Sequence, residues 1–237
     1  MITLLHSDCM DYMRKISDKA FDLAIVDPPY FDGPQKLGFY GNGTSSEGVE
    51  RGAYEKIGTW EPPGPEYFAE LFRVSKNQIV WGANHFIASF PINSPGWIVW
   101  DKCNQGSDFA DCELAWTSFD RGARLFPFMW NGMLQGSPQN GRVMQGNKAL
   151  NEKRIHPTQK PVALYRWLLK NYASPGDRIL DTHLGSGSSA IAAEVEGFDF
   201  VGMDKEHAYW EAAQERLSVF RAMPLFDNQP EQARMFQ

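Results

Sequence analysis

Short apolar runs alternate with amphipathic stretches along this 237-residue chain, and the alternation restricts the folds open to it. "ITLLHS", "FDLAIV", "NQIVW", "DRILD" and "FDFVGMD" read as strands. Between and after them, "CMDYMRKISD", "EYFAELFRVS", "VALYRWLLKNYA", "SGSSAIAAEVEG" and "HAYWEAAQERLSVF" carry apolar residues at helical spacing. Strands that alternate with helices imply a mainly parallel, doubly wound α/β sheet. "GWIVWDK" and "CELAWTSF" add the alternation of a hairpin, so an antiparallel strand is expected too. The length suits one α/β domain with insertions or two small domains. Hydrophobic residues make up 43% of the chain, enough for a sizeable core.

Several classes recede early. "MITLLHSD" has no basic start and only a short apolar run, unlike a secretory signal. No apolar run approaches the roughly 20 residues of a membrane helix. Cys9, Cys103 and Cys112 form no close pair and no metal-ligand spacing. A reducing cytoplasm and a chain without a metal site are therefore expected.

Function is first signalled by "DLAIVDPPYF", residues 22–31. An apolar strand runs into an acid, two prolines and an aromatic. Open parallel sheets bind ligands beyond the carboxyl ends of their strands. The residue before a proline is biased to extended backbone, and proline has no N–H. Asp27 and the Pro28 carbonyl are thus held side by side as acceptors. Their natural partner is an NH2 group, and Tyr30 offers a flat face beside them. The plainer reading is a Pro-Pro turn that closes a strand under an aromatic cover.

"ILDTHLGSGSSAIAA" places Gly185-Ser186-Gly187 between a strand and a helix, where backbone can approach a ligand closely. Asp204 ends the next strand, at the place where an acid commonly bonds ribose hydroxyls. Two glycines in an αβ turn often serve packing alone. With Asp181 before them and Asp204 after, a nucleoside cofactor is expected. The pattern is too short for the dinucleotide fingerprint, because position 190 is alanine.

Charge is unevenly spread. From Arg121 to Lys160 seven basic residues (Arg121, Arg124, Arg142, Lys148, Lys153, Arg154 and Lys160) face one acid, Glu152. That stretch carries +6 within a chain of net charge −6, leaving −12 on the remainder. A basic island on an acidic body suits a polyanion. It reads as irregular, rich in Gly, Gln and Asn. The 30 residues after Tyr30 also read as a long loop, a kind that is usually functional or disordered.

Asp-Pro-Pro-Tyr after an apolar strand, "DTHLGSGS", and "HPTQKPVAL" at 156–164 together resemble the S-adenosylmethionine-dependent amino-methyltransferases that act on DNA. The resemblance spans about residues 1–222 without the long loops. The order of the three motifs is similar to the permuted, beta-type arrangement of that family. It implies a Rossmann-like methyltransferase sheet. It also implies a catalytic half at 1–120 with a lid loop at 31–60, a target-recognition insertion at 121–155, a cofactor-binding half of the same domain at 156–222 and a tail at 223–237. Catalytic roles fall on Asp27, Pro28, Pro29 and Tyr30. Asp8 and Cys9 would border the cofactor's adenine. Asp181, Leu184, Gly185, Ser186, Gly187 and Ser188 would line its methionine part, Thr158, Gln159 and Lys160 its amino-acid end, and Asp204 would take the ribose. Arg121, Arg124, Arg142, Lys148, Lys153 and Arg154 would face double-stranded DNA.

The chain departs from the family pattern at Thr182-His183, where Pro-Phe is usual, and at Ser188, where Thr is usual. His183 reads as a satisfied local histidine. The resemblance implies methyl transfer to adenine N6 in a flipped-out base, since aspartate at position 27 goes with adenine and serine more often with cytosine N4. Cytosine N4, an RNA substrate, and a DNA-binding module without turnover stay as alternatives. The enzyme would stand alone, as an orphan or beside a separate restriction enzyme, and dimers are common in the family. "QARMF", Gln232–Phe236, resembles the peptide that docks on bacterial sliding clamps.

Overall fold

A computed structural model describes residues 1–30, 60–90, 93–105, 110–131, 134–137 and 151–223. Most of the expected lid loop, Arg142, Lys148 and the clamp-like tail lie outside the described residues. In chain order the elements are β1 (Ile2–His6), α1 (Cys9–Met13), β2 (Phe21–Val26), α2 (Pro65–Val74), β3 (Ser75–Trp81), β4 (Trp97–Asp101), β5 (Cys112–Thr117), β6 (Arg124–Pro127), β7 (Met129–Asn131), β8 (Leu134–Gly136), α3 (Val162–Tyr172), β9 (Arg178–Asp181), α4 (Ser188–Glu196), β10 (Asp199–Asp204) and α5 (His207–Ala222).

Eight strands form one sheet in the order β1-β10-β9-β2-β3-β5-β4-β6. The first five are parallel. β5 runs against both β3 and β4, and β6 adds a parallel edge to β4. β2 is buried on both faces, as a central parallel strand must be. Leu23 and Ile25 pack with α3 and α4, while Ala24 and Val26 pack with α2 residues Phe68 and Leu71. Helices therefore cover both faces, as the alternation predicts.

β9 and β2 are neighbours. The chain leaves β9 through α4 towards β10, and leaves β2 through α2 towards β3, on the opposite flank. Their carboxyl ends make the topological switch point, where ligands of such sheets bind. Asp181 ends β9, and Asp27 follows β2.

Two expectations need correction. The first helix, read over 9–18, stops at Met13. Arg73 of α2 takes the Met13 carbonyl at 2.6 Å and the Ile16 carbonyl at 3.0 Å, bonds that a longer helix would have claimed. The basic island is not irregular throughout. Phe126 of β6 is buried in the core and Leu125 faces out, so an edge strand forms there. β7 and β8 pair as a separate two-stranded sheet.

Candidate active site

Beyond the strand ends lies a cleft of about 820 Å³. Asp27, Pro28, Pro29 and Tyr30 line it, together with Asp8, Cys9, Thr158, Gln159, Lys160, Leu184, Gly185, Ser186 and Asp204. Residues as far apart in the chain as Asp8 and Asp204 thus meet in one cavity because their strands end on the same side.

The glycine turn is held from below. Asp204 accepts from the Gly185 N–H at 2.9 Å and the Glu206 N–H at 3.0 Å. Gly185 and Gly187 have φ of +50° and +72°, which side chains adopt only under strain. A Cβ on Gly187 would fall 3.1 Å from Ala213 Cβ, so α5 packs directly on this turn. Asp181 is buried and accepts from Ser189 Oγ at 2.6 Å and the His183 N–H at 3.0 Å. Burial pushes its carboxyl up to about 7. Asp181, Gly187 and Ser188 stand behind the cleft wall and shape the turn, whereas Leu184, Gly185 and Ser186 reach the surface of the cleft.

Asp8 caps α1, accepting from the Met10 N–H at 2.8 Å. Cys9 lines the cleft with its thiol pushed up to about 12 by burial, next to the Asp8 charge, so it is no nucleophile. His183 sits edge-on to Tyr67 and shares Thr182 Oγ1 with it. Burial lowers His183 to about 4, so it is neutral and locally satisfied.

The loop before α3 divides its work. His156 stacks on Trp60 at 5.7 Å and meets Tyr209 edge-on at 4.2 Å. Thr158 lines the cleft and bonds the His156 ring. Gln159 spends its side-chain amide on the Ile155 N–H and the Lys153 carbonyl, which folds the loop. Lys160 is buried, and its ammonium reaches Asp27 Oδ2 at 2.5 Å, Tyr30 Oη at 3.1 Å and Glu113 Oε2 at 3.0 Å. The sequence carried no sign of that Asp27 contact.

Around Asp27 the second oxygen accepts from the Tyr30 hydroxyl. Burial raises the Asp27 carboxyl; the Lys160 charge works against this, while Glu113 adds to it. Tyr30 stacks on His85 at 5.1 Å. Glu113, Lys102, Gly82 and His85 were missed by sequence reasoning, and Trp60 was read only as the end of the lid loop. Glu113 had a signal, a lone acid inside the apolar run "CELAW".

The described basic residues do not gather. Arg154 lines the cleft, its guanidinium 5.0 Å from the Trp130 ring and bonded to the Trp130 carbonyl. Lys153 is exposed nearby in sequence but does not line the cleft. Arg121 donates to the Asn171 carbonyl at 2.7 Å, at the last turn of α3. Arg124 opens β6, which runs parallel to β4. Both therefore lie at the amino ends of the parallel strands, away from the cleft. The hairpin of β4 and β5 carries the chain to that far end before β6 returns it. Among the described residues no cluster of three or more His, Cys, Asp or Glu could hold a metal. No helix among them is long and apolar enough to cross a membrane.

The profile of the N6- and N4-methyltransferase DNA methylases matches residues 80–215, more than half of the chain. The chain belongs to this family of DNA methylases. Among its relatives, the Type II methyltransferase M2.DpnII of Streptococcus pneumoniae is 28% identical over 246 residues, covering 91% of this chain and 89% of that one. The methylase fold is shared with the M1.HpyAVI complex with S-adenosylmethionine, at a TM-score of 0.56 and 19% identity over 91% of this chain and all of that one. It is shared too with the cytosine-N4-specific PvuII methyltransferase, at 0.58 and 11% identity over 99% and 91%. At such identity these two likenesses speak for the fold.

Proposed function

We propose that this methylase transfers a methyl group from S-adenosylmethionine to the N6 amino group of adenine in duplex DNA. One observation carries the reading: Asp27-Pro28-Pro29-Tyr30 and the glycine turn open into the same cleft at the switch point. The residues fit the cofactor. Asp204 reaches the cleft at the end of β10, and Gly185 presents backbone with no side chain in the way. Small-molecule sites span roughly 300–1,000 Å³, so a cleft of about 820 Å³ has room for a nucleoside and a base together. S-adenosylmethionine supplies, when bound, an already activated methyl group.

The protein's task is then the nucleophile. The lone pair of an exocyclic amine is delocalised into its ring. Asp27 and the Pro28 carbonyl accept hydrogen bonds from its two N–H groups, which favours a tetrahedral nitrogen and frees the lone pair. Fixed alignment supplies much of the remaining acceleration. The base leaves the duplex to arrive here, at a cost of a few kcal/mol, offset in part by contact with Tyr30. Aspartate rather than serine at position 27 supports adenine over cytosine within the resembled family. Arg154 in the cleft lining and the exposed Lys153 beside it in sequence support this end of the island as the part that meets DNA.

The test is labelled methyl transfer to unmethylated duplex DNA, followed by nucleoside analysis. N6-methyladenine is expected, with Asp27→Ala slower by about 10²–10⁴-fold, the range for a lost acceptor at the reacting atom. N4-methylcytosine would overturn the base assignment, and label in RNA alone would overturn the substrate.

A further inference from the structure

Asp27 is the acceptor on which this reaction turns, yet without a base both of its oxygens already hold donors. Oδ1 takes the Tyr30 hydroxyl, and Oδ2 takes the Lys160 ammonium at 2.5 Å. Lys160 is not committed to Asp27 alone. Its Nζ lies 3.0 Å from Glu113 Oε2 as well. Glu113 Oε1 is anchored by Lys102 Nζ at 2.7 Å. Lys160 thus bridges both acids while no base is present. All four charged groups reach the one cleft, two acids against two ammonium groups.

We propose that Lys160 is an internal stand-in for the substrate's amino group, and that the arriving base displaces its ammonium from Asp27 onto Glu113. The inference rests on the amino-methyltransferase reading above. An ammonium and an exocyclic amine present the same kind of donor to a carboxylate. A bare buried carboxylate is costly, so Asp27 needs a partner while no base is present. A lysine supplies one on a flexible four-carbon stem. With Glu113 Oε2 already 3.0 Å from Nζ, the ammonium leaves Asp27 without becoming an unpaired buried charge. Four groups of balanced charge remain so throughout, and no proton or bond is exchanged. The exchange also selects. A base edge that offers no N–H donor cannot replace the ammonium, and leaves Lys160 where it is.

Kinetics on plasmid DNA from a methylation-deficient host test this, with cofactor affinity measured in parallel. Glu113→Gln keeps the shape and removes the second charge, so Lys160 stays on Asp27. KM for DNA is expected to rise about tenfold, the worth of one charge-assisted hydrogen bond, with the cofactor Kd unchanged. Adding Lys160→Met to that chain is expected to bring KM back down at about pH 9, far above the ordinary carboxylate range, where Asp27 stays ionised without its lysine. A double variant as poor as Glu113→Gln, or a cofactor Kd that worsens alongside KM, overturns the stand-in. Should Glu113→Gln not fold, Lys160→Met alone decides: at about pH 9, far above the ordinary carboxylate range, its KM for DNA falls below wild type, and a rise overturns the proposal. A wild-type protein that methylates no DNA refutes the reading beneath it, and the stand-in with it.

Discussion

Gly82 follows β3 with φ of +66°, and a Cβ built there would lie 2.0 Å from the Tyr30 ring. The ring cannot retreat, because its hydroxyl is tied to Asp27 and Lys160. Gly82→Ala is expected to cost about 1–3 kcal/mol of stability through backbone strain. A displaced Tyr30 should also slow methyl transfer about 10²-fold, the usual cost of an ångström of misplacement. Thermal unfolding and single-turnover kinetics check the two effects separately. His156 yields a pH prediction. Burial lowers it to about 3, so it is neutral when folded and charged when unfolded below its ordinary 6.5. The unfolded chain then binds the extra proton, and stability is lost as pH falls from about 6.5 towards 3. Replacing His156 with Asn is expected to flatten that decline by about 2–4 kcal/mol, taking a pKa unit as about 1.4 kcal/mol. Urea titrations across the range measure it, and a decline as steep as wild type would refute the assignment.

Between elements, Arg216 of α5 is the tie that joins the cleft's two walls. It donates to the Ser186 carbonyl and Ser188 Oγ, each at 2.9 Å, and pairs with Glu152 at 2.9 Å. Glu152 in turn accepts from the Val162 N–H at the start of α3. The glycine turn, the end of the basic island and the loop that carries Lys160 are thus held by one buried ion pair. Breaking such a pair strands its partner. Burial already lifts Glu152 to about 7, with Arg216 working against it. Arg216→Ala is expected to cost about 3 kcal/mol and to weaken cofactor binding, read by chemical unfolding and calorimetry. A fall in stability with cofactor affinity unchanged would show that the tie does not shape the turn.

At the scale of the molecule, the basic island splits. Arg121 and Arg124 lie at the far end of the sheet, while Arg154 lines the cleft and Lys153 is the exposed cation beside it in sequence. Binding to DNA weakens with salt in proportion to the phosphates contacted. Lys153→Ala is expected to reduce the slope of log K against log salt by about 1. The Arg121→Ala, Arg124→Ala double variant is expected to leave it unchanged. A change of slope in the double variant would place DNA across the sheet's other end.

Much of this was legible in the chain alone. Strand-helix alternation specifies the doubly wound sheet, because each period dictates which face must be buried. "DPPY" and the glycine turn announce themselves because proline and glycine restrict backbone locally. Asp204 is legible as the acid that ends a strand. The rest needed the fold. Strand order put the ends of β2 and β9 side by side, and no local pattern states which strands are neighbours. Sequence counted Arg121 and Arg154 in one island, yet a hairpin reversal sends them to opposite ends. Lys160 reads as part of a cofactor motif, and only packing across 133 residues of chain sets its ammonium on Asp27. Contacts of that kind depend on where two distant strands end, which is a property of the whole sheet and of no segment within it.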